Sequence, residues 1–67
     1  MTAEKLREMI AERGLKQKFI AEKIGISETA LSAMLNGRQI IDVDVFFAIA
    51  VILRMTPDEI YEFRKGA

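Results

Sequence analysis

Glycine and proline cut this chain into short pieces, and their spacing sets what it can fold into. Gly14, Gly25, Gly37, Pro57 and Gly66 punctuate 67 residues, so most pieces are roughly ten residues long. Pieces of that length are helices or strands, and the period of the apolar residues decides between them. Leu6, Met9, Ile10 and Arg13 fall at i, i+3, i+4 and i+7, which predicts an amphipathic helix over about 3–13, ended by Gly14. From Gln17 to Ile24 the apolar face is Ile20, Ala21 and Ile24, with Lys16, Lys18, Glu22 and Lys23 toward water. A third helix starts at Ser27, a good N-cap, carries Ala30, Leu31, Met34 and Leu35 at helical spacing, and stops at Asn36-Gly37. The joint around Gly25-Ile26 is so short that it must hold these two helices at a steep angle.

Arg38 to Ile41 reads as a connection, and Asp42 as the N-cap of a fourth helix from Val43 to about Met55. Thr56-Pro57-Asp58-Glu59 then combines a Thr cap, Pro at the first helical position and Glu three residues after the cap. A fifth helix follows with Ile60 and Phe63 inward. No strand pattern or internal repeat competes. The expectation is one all-α domain of five helices over residues 1–67.

Several chemistries are excluded by what is missing. Without Cys or His the chain has no disulfide framework, thiolate nucleophile, Ser-His pair or common zinc site, so neither an enzyme nor a cofactor or metal is expected. The longest apolar run, Val45 to Leu53, is nine residues, against roughly 20 for a membrane-spanning helix. The first residues lack the apolar core of a signal peptide, which leads to the expectation of a soluble, cytoplasmic protein. A chain this short buries only about 60% of its unfolded surface, so it should act through that surface rather than through a deep small-molecule cleft. Ten Lys plus Arg balance ten Asp plus Glu, which at first sight speaks against nucleic acid.

The order Gln17, Ile20-Ala21, Ile24-Gly25-Ile26-Ser27, Leu31-Ser32, Asn36-Gly37-Arg38, Phe46, Ile49-Ala50, Leu53 and Thr56-Pro57-Asp58-Glu59-Ile60 resembles the Cro/CI helix-turn-helix family, the phage-repressor-like group. The resemblance implies a lambda-repressor-like five-helix domain whose second and third helices form the helix-turn-helix. It also implies binding to double-stranded DNA, generally as a homodimer, with the third helix in the major groove. In this sequence Ala21 keeps the crossing of those helices close, and Gly25 allows a turn conformation that a side chain would penalise. Charge by segment then fits better: residues 13–38 carry five cations against Glu22 and Glu28, or +3, while residues 1–12 sum to −1 and 39–67 to −2. The positive charge lies on the segment that would meet phosphates.

By the resemblance, Lys16, Gln17, Lys18, Ser27, Asn36 and Arg38 are candidates for the DNA backbone, and Glu28, Thr29, Ser32 and Ala33 for the bases. Lys16 replaces the usual Thr or Ser cap, and Ala33 stands where the family often has a long polar reader. Residues 28–35 hold no Arg, Lys, Gln or Asn, so the bidentate pairs to guanine and adenine are missing and DNA shape must supply part of any specificity. The fourth helix departs as well, since Phe47, Ala48, Val51 and Met55 lie opposite its inward face. Either the fifth helix covers Val51 and Met55, or Phe47, Val51, Met55, Pro57 and Tyr61 form a homodimer interface. The function implied is a sequence-specific transcriptional regulator, a repressor on a pseudo-palindromic operator. The competing expectation is a protein-interaction module, such as an antitoxin-like domain, acting through the apolar fourth helix on a protein partner.

Overall fold

The computed structural model describes residues 3–65, with side chains described through Phe63. It contains α1 (Ala3–Glu12), α2 (Gln17–Ile24), α3 (Glu28–Leu35), α4 (Val43–Leu53) and α5 (Pro57–Lys65), with no strand among the described residues. The body measures 27 × 23 × 20 Å. Its most deeply buried side chains are Leu6 of α1, Ile20 of α2, Leu31 and Leu35 of α3, and Ile49 and Leu53 of α4. Each is a residue that the 3.6-residue period turns inward, and each contributes about 1.5–3 kcal/mol through removal from water. Met9, Ile10, Ala21, Phe46 and Ala50 close the same core, and Phe63 of α5 stacks on Phe46 with ring centroids 4.4 Å apart.

The expected starts are built as the residues predict. Ser27 Oγ accepts from the Ala30 N–H at 3.0 Å, and Asp42 Oδ1 accepts from the Val45 N–H at 2.9 Å. At α5 the capping is reciprocal: Thr56 Oγ1 accepts from the Glu59 N–H at 3.2 Å, while Glu59 Oε1 accepts from the Thr56 N–H at 2.9 Å.

The helix ends share a device that composition does not reveal. After each of α1 to α4 a residue two or three positions past the helix returns an N–H to a carbonyl five residues back: Leu15 to Ile10, Ile26 to Ala21, Arg38 to Ala33 and Met55 to Ala50. Gly14, Gly25 and Gly37 supply the left-handed residue in three of these turns, and Arg54, with φ 55°, supplies the fourth. The return throws the following side chain back toward the body. Leu15 and Ile26 pack against the core in this way.

Two expectations are overturned. The fourth helix ends at Leu53 rather than near Met55, and Met55, expected on an outer interface, is folded back and buried, only 9% exposed. Arg13, counted with the cations of the helix-turn-helix, turns instead to the opposite junction. Its Nε donates to the Leu53 carbonyl at 2.8 Å, and its Nη2 lies 3.8 Å from Glu59 Oε2. A guanidinium there satisfies a carbonyl that the helix end leaves open. No helix among the described residues is long and apolar enough to cross a membrane.

Candidate nucleic-acid interface

The helix α3 presents Glu28 and Ser32, and Thr29 and Ala33, as two i, i+4 pairs on adjoining lines of one face. Gln17, at the first turn of α2, closes one side of that face, and Arg38, just beyond α3, closes another. The six residues together line an open groove of about 350 Å³. Two elements fix its shape. One is the packing of α2 on α3 across the turn at Gly25, whose φ of 80° keeps the joint to a few residues. The other is the return at the end of α3, where the Arg38 N–H meets the Ala33 carbonyl at 2.9 Å. In α1, α2 and α4 the equivalent position is apolar and goes to the core; at α3 it is an exposed arginine on the groove.

Of the expected base-facing residues, Glu28 and Thr29 are exposed and Ser32 and Ala33 half-buried, and all four line the groove. Of the expected backbone-facing residues, Gln17 and Arg38 line it too. Ser27 is exposed but commits its hydroxyl oxygen to the α3 cap. Lys16 precedes α2 in extended conformation with no side-chain cap, as its replacement of Thr or Ser implied, and Lys18 is exposed on α2. Asn36 has a different task from the one expected. Its amide accepts from Arg7 Nη1 and donates from Nδ2 to the Ser32 carbonyl at 2.9 Å and to Ser32 Oγ at 3.2 Å.

With Arg13 removed to the other side, the segment keeps Lys16, Lys18, Lys23 and Arg38 against Glu22 and Glu28, a net of +2 from four minus two. Lys23 stands over the ring of Phe19 at 5.6 Å from its centroid. Two residues went unassigned in the sequence reading: Phe19, 42% exposed on α2, and Arg7, on α1, which carried no signal of its partnership with a residue 29 positions away.

The α4 face resolves into two parts. Phe46 is covered by Phe63 of α5, so α5 lies over that side and leaves the other open. Val43, Phe47 and Val51 recur at i, i+4 and i+8 along the open side and are 66%, 41% and 77% exposed; Ile40 before the helix is 89% exposed. Pro57 and Tyr61, also expected on the interface, are exposed on α5. Ile40 and Val43 were missed because they precede the densest apolar run, although a count at intervals of four would have found Val43.

A model described as helix-turn-helix matches residues 5–60, which covers the groove, the turn and the start of α5. No curated protein and no solved structure matches the chain.

Proposed function

The chain belongs to the Cro/CI-like helix-turn-helix family, a family of DNA-binding regulatory domains, and from that membership we propose that it is a sequence-specific transcriptional repressor. The third helix enters the major groove of a pseudo-palindromic operator, and a homodimer supplies two such helices roughly 34 Å apart. The observation that carries this reading is the groove between α2 and α3, lined by Gln17, Glu28, Thr29, Ser32, Ala33 and Arg38. Glu28 accepts from an amino group, Thr29 and Ala33 offer methyl groups to thymine, and Lys16, Gln17, Lys18 and Arg38 hold phosphates. Because no side chain on α3 makes a bidentate pair with guanine or adenine, direct readout is modest and DNA deformability contributes the rest.

The dimer uses the open side of α4, where Val43, Phe47 and Val51 form a stripe that a second copy would cover, with Pro57 and Tyr61 at its border. Repression then follows from occupancy of the operator. Selection of bound molecules from random duplex DNA at two salt concentrations tests the reading. Enrichment of a pseudo-palindrome that weakens with salt is the expected result; binding with no enriched sequence would refute it.

The same exposed stripe favours a second reading, a module that binds a different protein through α4. A chain that stays monomeric at high micromolar concentration and enriches no DNA sequence would point there.

A further inference from the structure

We propose that Asn36, held by Arg7 and by the Ser32 carbonyl, sets the hydrogen-bonding sense of Ser32, so that this hydroxyl meets the operator as a donor. The proposal rests on the DNA-binding reading above. A guanidinium has donors and no acceptor, so the atom of Asn36 that faces Arg7 Nη1 must be Oδ1. Nδ2 therefore faces Ser32, where it donates to Oγ at 3.2 Å and to the backbone carbonyl at 2.9 Å, an acceptor that holds the amide in the same sense. A serine hydroxyl has one proton and two lone pairs. One lone pair is occupied by Nδ2, and the proton meets no acceptor among the described residues. The side chain lines the groove, so its proton is directed there.

One turn earlier Glu28 lines the same groove with a group that only accepts. The α3 face therefore presents an acceptor followed by a donor. In the major groove a donor is matched by the keto oxygens of guanine or thymine and by N7 of either purine, and an acceptor by the amino groups of cytosine or adenine; cytosine is the base that offers a donor and no acceptor. Ser32 accordingly disfavours cytosine at the position it faces, and Arg7 and Asn36 are positioning residues for that contact.

The test uses the full chain and a panel of duplexes in which each base pair of the selected sequence is varied singly. Wild-type protein should disfavour cytosine at one position by roughly two- to tenfold, the range one uncharged hydrogen bond supports. Ser32→Ala should abolish that preference alone. Asn36→Asp replaces the donor with an acceptor for both Arg7 and the Ser32 proton, so the hydroxyl turns inward and the preference should reverse to favour cytosine. Arg7→Met, which leaves the amide held by the Ser32 carbonyl without its second anchor, should weaken the preference, and Arg7→Lys, which also only donates, should restore it. A purely structural role for Arg7 would change affinity for all duplexes alike. Binding that retains the wild-type preference in both Asn36→Asp and Arg7→Met overturns the relay while leaving the DNA reading intact. Wild-type protein that binds no duplex in a salt-sensitive way overturns both.

Discussion

Replacing Arg13 with Met should destabilise the fold without weakening contact with DNA. Its Nε donates to the Leu53 carbonyl at 2.8 Å, at the C-terminal end of α4, in a part-buried setting. A hydrogen bond from a charged donor contributes about 1.5–3 kcal/mol, and the lower half applies because the Arg13 side chain is 32% exposed. The ion pair to Glu59, 3.8 Å away with both side chains about a third exposed, adds at most about 1 kcal/mol after screening by solvent. The expected loss is about 2 kcal/mol, which for a domain of this size lowers Tm by about 8–16 °C. Urea unfolding followed by helical circular dichroism should show a lower midpoint with an unchanged slope. Glu59→Gln removes the ion pair while keeping an acceptor for the Thr56 N–H, so it should cost less than about 1 kcal/mol. The salt dependence of DNA binding should be unchanged by Arg13→Met. Unaltered stability together with a salt slope reduced by about one charge would place Arg13 on a phosphate and refute the account.

Arg38→Ala should weaken binding to all duplexes alike and reduce the salt slope by about one charge, as titrations at several salt concentrations would reveal. Gly25→Ala should cost about 1–2 kcal/mol through backbone conformation alone, because a Cβ there meets no atom within 4 Å while φ is +80°; thermal denaturation measures it. Val51→Asp, at a residue 77% exposed, should leave the melting temperature nearly unchanged and convert a dimer to a monomer in sedimentation. A dimer that persists would remove α4 from the interface.

The starts of α3, α4 and α5 were legible because each is a local contract between side chain and backbone. Ser27, Asp42 and the Thr56 and Glu59 pair bond N–H groups three residues away, and such spacing is visible in a string of letters. The end of α4 was not, since the left-handed residue there is Arg54 rather than glycine. Nothing about an arginine announces that conformation, and the burial of Met55 depends on it. The groove was legible in its membership: all six lining residues stand among those picked from the sequence. Their partners were less so. That Asn36 would be held between Arg7 and Ser32 rather than turned to a phosphate depends on how α1 crosses the end of α3.

By itself the sequence determined the number, order and starts of the helices, the inward faces and the family, because caps, turn residues and the 3.6-residue period act within a few positions of one another. Tertiary structure alone decided where long side chains and returning turns go. It carried Arg13 away from the positive segment to the ends of α4 and α5, drew Met55 inward, and left Val43, Phe47 and Val51 open on one side of α4. Those outcomes depend on neighbours up to 40 residues distant. The spacing of residues along the chain carries no term for such a neighbour until the helices have packed.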